Sequence, residues 1–169
     1  FAERSGGVWT DVLIDADGDG TSTDVGRQPS LVVLASGAPA VAYYDSTNQE
    51  LRFAERSSNV WSDVLVDDDG DGTSTEVGMY PGLIELSTGL GIAYTDVTNS
   101  EIRFARRSGG TWWVRDVTAE HLDPTNSAFG GTIGVWDTLT FGAVWLPNGS
   151  LAVSFQDYIG SDLWYAEGL

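Results

Sequence analysis

The chain has 169 residues, 25 of them acidic and 8 basic, for a formal net charge of −17. Such a charge is repelled by nucleic acid and by anionic membrane, which excludes both as expected partners and favours bound cations. There is no cysteine, hence no disulfide framework or thiol chemistry, and no apolar run nears the roughly 18 residues of a membrane span.

The chain opens on Phe1-Ala-Glu-Arg-Ser5. The phrase returns as Phe53-Ala-Glu-Arg-Ser57 and Phe104-Ala-Arg-Arg-Ser108, with Tyr165-Ala-Glu167 as a worn fourth copy. The copies stand 52, 51 and 61 residues apart. A fixed period of this size means one supersecondary unit per repeat, stacked on its neighbours because none can bury its apolar face alone. No signal peptide is visible. The chain starts within a repeat, so it is expected to be a mature fragment or a portion of a longer repeat protein.

After the opening phrase, Val8–Ile14 is expected to be a fourth strand of such a unit. A full unit then follows. Its first strand is Ser30–Leu34, after Pro29, and its counterpart is Gly82–Leu86, after Pro81. A glycine-bearing turn leads to the second strand, Ala40–Tyr44 or Gly91–Thr95. Asp45 and Asp96 open the next turns, where Asp and Asn bond nearby backbone; Asp157 recurs at the same place. The third strand, Glu50–Arg56, alternates apolar residues with charge, the pattern of a half-solvated strand. The fourth is Val60–Val66. Trp9, Trp61 and Trp112 share one offset in the fourth strands and are expected to anchor the core between neighbouring sheets.

The last unit is degenerate. Leu139–Trp145, Leu151–Phe155 and Leu163–Ala166 keep its first three strands, and an insertion over 118–137 holds the sole histidine, His121, between Glu120 and Asp123. His121 is expected to be an ordinary surface-loop residue, and Asn148-Gly-Ser150 a tight turn rather than a glycosylated sequon. Trp113, Trp136, Trp145 and Trp164 gather in this region. They are expected to pack, although a tryptophan beside acids is also what a sugar site uses.

The predicted class is therefore all-β, in four-stranded antiparallel blades of about 51 residues, about three in this chain. The parts are a partial blade over 1–28, a blade over 29–80, a blade with an inserted loop over 81–137, and an incomplete blade over 138–169. The Pro-Ser-Leu, Ala-Tyr-Tyr-Asp and Leu-Arg-Phe-Ala-Glu-Arg-Ser pattern resembles the sialidase-like β-propeller blades of large secreted bacterial proteins. That resemblance implies a propeller and an extracellular or cell-surface location. The Asp-box of true sialidases is missing, so their chemistry is not implied. Three blades close poorly. Either further blades or other copies of the chain are expected as partners, with Val8–Ile14 completing the last blade of a neighbour.

Two acidic loops carry the repeated chemistry: Asp15-Ala-Asp-Gly-Asp-Gly-Thr-Ser-Thr-Asp24 and Asp67-Asp-Asp-Gly-Asp-Gly-Thr-Ser-Thr-Glu76. Alternate aspartates converge three carboxylates on one hard cation, glycine permits the sharp turn, and a carbonyl with a later carboxylate fills an oxygen shell. The expected ligands are Asp15, Asp17, Asp19, Thr21 (carbonyl) and Asp24, and then Asp67, Asp69, Asp71, Thr73 (carbonyl) and Glu76. The expected ion is calcium. The loops resemble those of integrin-type propeller repeats.

No nucleophile set, phosphate loop or nucleotide fingerprint is present. The sequence thus points to a non-catalytic, extracellular, calcium-binding propeller module with a structural, adhesive or assembly role. A glycan-binding lectin and a fragment of a glycan-cleaving propeller enzyme are the alternatives.

Overall fold

The computed structural model describes residues 1–16, 24–68, 76–99, 101–117, 141–146, 150–156 and 163–167. Every regular element among them is a strand. β1 (Ala2–Ser5) and β2 (Val8–Asp11) form a hairpin. β3 (Arg27–Val33), β4 (Pro39–Asp45), β5 (Glu50–Ser57) and β6 (Val60–Asp67) form the first four-stranded antiparallel sheet, in sequential order. β7 (Val77–Leu86), β8 (Gly89–Asp96), β9 (Glu101–Ser108) and β10 (Thr111–Asp116) form the second. β11 (Phe141–Trp145), β12 (Leu151–Gln156) and β13 (Leu163–Glu167) form a three-stranded meander. No helix long and apolar enough to cross a membrane occurs among the described residues.

Turn chemistry explains the hairpins. Between β1 and β2, β5 and β6, and β9 and β10 the loops are Gly6-Gly7, Ser58-Asn59 and Gly109-Gly110, with positive φ at both positions of each pair. Two such residues make the primed turn whose twist matches that of the flanking strands. It fixes the registers Arg4↔Trp9, Arg56↔Trp61 and Arg107↔Trp112. Asp45 closes its turn as expected, accepting from the Thr47 and Asn48 amides at 2.9 and 3.1 Å. Asp96 does the same for Asn99 at 3.0 Å.

Two expectations change. The first strands begin before their prolines, at Arg27 and Val77 rather than after Pro29 and Pro81. Gln28 and Tyr80 take positive φ there, and the pairing register shifts on either side. A proline is admitted to an edge strand at such an irregularity. The third strand, in turn, is not half-solvated. All of β4 is buried, and Arg52 and Glu55 on β5 are only partly exposed, because sheets pack on both faces. One core joins Ala40, Ala42, Leu51 and Phe53 of the first sheet to Val77, Leu83, Ile92 and Tyr94 of the second. A smaller one sets Val41, Tyr43 and Ala54 against Ile14, with Trp61 beside them.

Candidate functional site

Strand alternation decides what each residue of a third strand can reach. On β5, Leu51, Phe53 and Glu55 point to one neighbouring sheet, and Arg52, Ala54 and Arg56 point to the other. The forward set docks on the second sheet. The Phe53 ring meets Trp112 edge-on at 5.2 Å, and Glu55 accepts two bonds from Arg107 at 2.9 and 3.0 Å. Arg107 also lies over the Phe53 ring at 5.3 Å.

The backward set repeats this one unit earlier. Phe1 meets Trp61 at 5.1 Å, Glu3 accepts from Arg56 at 2.9 and 3.1 Å, and Arg56 lies over Phe1 at 5.2 Å. The Arg56 hydrogen bond holds the Glu3 carboxyl below its ordinary range. Trp61 and Trp112 are thus the inter-sheet anchors that their spacing predicts, whereas Trp9, expected to be a third, is 66% exposed and anchors no core among the described residues. Among the described residues neither buried indole N–H finds an acceptor, so the contacts shown are made by the rings.

The acidic loops leave from the roots of these junctions. One joins β2 to β3 and the other joins β6 to β7, so each bridges consecutive sheets. At the first carboxylate of each loop, a tyrosine and an arginine from the following sheet close in. Tyr43 donates to Asp15 at 2.7 Å, and the Arg52 Nε stands 3.6 Å from Asp15, an ion-pair separation rather than a hydrogen bond. Tyr94 donates to Asp67 at 2.6 Å, and Arg103 reaches Asp67 at 3.2 Å. Burial first, and the carboxylate second, push the Tyr43 phenol far above its ordinary range; burial and the charge of Asp67 do the same for Tyr94. Both phenols are therefore fixed as donors.

Each arginine gathers further acids. Arg52 pairs with Glu50 at 2.6 Å and with Asp63, and Arg103 pairs with the buried Asp96 at 2.6 Å. Burial opposes the Arg52 charge, but its bonds to Asp63 and Glu50 outweigh that and raise its pKa further. Burial also raises the Glu50 and Glu101 carboxyls above their usual range, against the pull of the adjacent arginines.

The far root of each loop is pinned by backbone. The Asp24 amide donates to Thr47 Oγ1 at 2.7 Å and its carbonyl accepts from Ser46 at 2.9 Å. The Glu76 amide donates to Thr98 Oγ1 at 2.8 Å and its carbonyl accepts from Val97 at 2.8 Å. The side chains diverge: Asp24 pairs with Arg27, whereas Glu76 accepts from the Tyr44 hydroxyl at 2.9 Å.

Of the expected ligands, then, Asp15, Asp24, Asp67 and Glu76 stand at the loop roots. Asp17, Asp19, Thr21, Asp69, Asp71 and Thr73 lie outside the described residues, as do His121, Glu120, Asp123, Asp157, Trp136 and Asn148. Among the described residues no three acidic or histidine side chains converge as a metal cluster. Sequence reasoning missed the tyrosine and arginine at each root. The signal was available, since Tyr43 and Arg52 recur as Tyr94 and Arg103 after the same 51 residues.

No protein-family model matches the chain, and no curated protein matches it. Solved structures do. A GH43 β-1,3-galactosidase with galactodeoxynojirimycin is similar at a TM-score of 0.52 and 15% identity, over 84% of this chain and 41% of that one. A Hadza microbial sialidase is similar at a TM-score of 0.54 and 19% identity, over 85% of this chain and 34% of that one. The fold is of the β-propeller type. The chain spans less than half the length of either structure, and at such identities the likeness concerns the fold alone. The described sheets do not close into a ring.

Proposed function

We propose that this chain is a non-catalytic propeller-type module, working outside the cell as a scaffold for adhesion or assembly, whose acidic loops bind calcium. One observation carries the reading. The two loops have the same D-x-D-x-D-G pattern, span the same kind of sheet-to-sheet junction, and are rooted at both ends by matching contacts. Their donors are all oxygen, which suits a hard cation with six to eight ligands. A cation there would tie the end of one sheet to the start of the next and relieve repulsion among close carboxylates. The central aspartates Asp17, Asp19, Asp69 and Asp71 would supply most of the charge, with the carbonyls of Thr21 and Thr73.

Glycan binding is the second reading. It draws on Trp113 of β10, a residue 68% exposed and paired in register with Arg106 of β9. An exposed indole face beside polar groups suits stacking on a sugar.

Calorimetric titration of chelator-treated protein tests the calcium reading. About two sites of similar affinity are expected, with one lost in Asp19→Asn and the other in Asp71→Asn. Calcium at a hundredfold above its dissociation constant should stabilise the fold by about 2.7 kcal/mol per site. A flat titration with an unchanged melting temperature in chelator contradicts it.

A further inference from the structure

Each acidic loop begins on a carboxylate that the protein already engages. The Tyr94 hydroxyl and the Arg103 guanidinium both reach Oδ2 of Asp67, at 2.6 and 3.2 Å. One unit earlier, the Tyr43 hydroxyl donates to Oδ2 of Asp15 at 2.7 Å, and the Arg52 Nε lies 3.6 Å from the same atom. Both clamps are cross-strand neighbours, Tyr43↔Arg52 on β4 and β5 and Tyr94↔Arg103 on β8 and β9. Register alone therefore brings a phenol and a guanidinium to one face of the following sheet.

Clamp and loop are also lost together. On β12 and β13 the same register is held by Phe155 and Trp164, residue types with neither hydroxyl nor charge, and the sequence after β10 has no D-x-D-x-D-G run.

Burial separates the first acid of a loop from the last. The Asp15 and Asp67 side chains are 13% and 9% exposed, whereas that of Asp24 is 51% exposed. Turning Asp67 onto an ion would take the acceptor from Tyr94, which is fully buried, and would set the ion's charge beside Arg103. Arg103 also holds the buried Asp96 at 2.6 Å, so swinging it aside would remove the cation from a second buried carboxylate.

We propose that Asp15 and Asp67 are junction anchors rather than cation ligands. The tyrosine–arginine clamp of the following sheet fixes the root of each loop before any cation arrives, and the ligand set begins at Asp17 and Asp69. This deepens the calcium reading and rests on it for the ligand set alone; the anchor stands without a cation.

Paired measurements in chelator and in calcium test this. In chelator, Asp67→Asn and Tyr94→Phe should each lower the melting temperature by about 2–8 °C, because each leaves a buried partner short of a charge or a hydrogen bond. The Tyr94→Phe loss should shrink when Asp67→Asn is already present, since both act on one contact. Asp69→Asn should leave the melting temperature in chelator unchanged or raise it, by relieving repulsion. In calorimetric calcium titration the order reverses: Asp69→Asn should weaken one site about tenfold or more, and Asp67→Asn no more than about threefold. An unchanged melting temperature for Asp67→Asn in chelator overturns the proposal, as does a loss of calcium affinity equal to that of Asp69→Asn. If wild type binds no calcium, the calcium reading falls, and the chelator measurements alone uphold or overturn the anchor.

Discussion

The junction between the β1–β2 hairpin and the first sheet uses the same residue types as the junction between the two four-stranded sheets, but the two differ in depth. Phe53 is 1% exposed at the inner junction, whereas Phe1 is half-buried at the outer one. At the inner junction the backbone also interlocks: a Cβ at Gly78 would lie 2.6 Å from the Leu51 Cα. Gly26, its counterpart, has open space around it. A cleft of about 240 Å³ remains there, lined by Phe1, Leu13, Pro29 and Tyr43 among others. The side-chain pairs therefore set which face meets which, and the extent of the facing sheet sets how much surface leaves water. Equal pairings carry unequal free energy.

Phenylalanine truncation should expose that inequality most strongly. Phe53→Ala empties a fully buried position and should cost about 3–5 kcal/mol. Phe1→Ala removes a partly exposed ring and should cost about 1–2 kcal/mol. Urea unfolding of both variants checks this, and equal losses would erase the distinction between the junctions.

The glycines sharpen it from the backbone side. Gly78→Ala adds a clash with the Leu51 backbone to the strain of a φ of 98°, and should cost about 2–4 kcal/mol. Gly26→Ala meets nothing within 4 Å and bears only the strain of a φ of 81°, about 1–2 kcal/mol. Thermal unfolding that ranks them the other way would show that the inner junction is looser than its geometry.

The strands were legible because the period is strong and the turns are rich in glycine and Asx residues. Trp61 and Trp112 could be placed as anchors because tryptophan recurs at one offset. Other features were not legible, for physical reasons. Gln28 and Tyr80 carry positive φ ahead of proline, which no strand propensity foretells. Alternation on β5 looked like one wet face and one dry face, because sequence does not reveal a second sheet packed over Arg52 and Arg56. Asp15 and Asp67 read as metal ligands from spacing alone, while the tyrosines that hold them lie 28 and 27 residues away. Contacts that join separate repeats become visible only when recurrences such as Glu3 with Arg56 and Glu55 with Arg107 are compared as pairs.

The central claim is that a glutamate on one third strand and an arginine on the next lock consecutive sheets in place. A charge-reversal cycle at Glu55 and Arg107 tests it most directly. Each residue is partly exposed and their pairing is bidentate, so the coupling should be about 1–2 kcal/mol. Glu55→Arg and Arg107→Glu should each destabilise the fold, and the double variant should recover stability beyond the sum of the single losses. Losses that simply add would contradict the account.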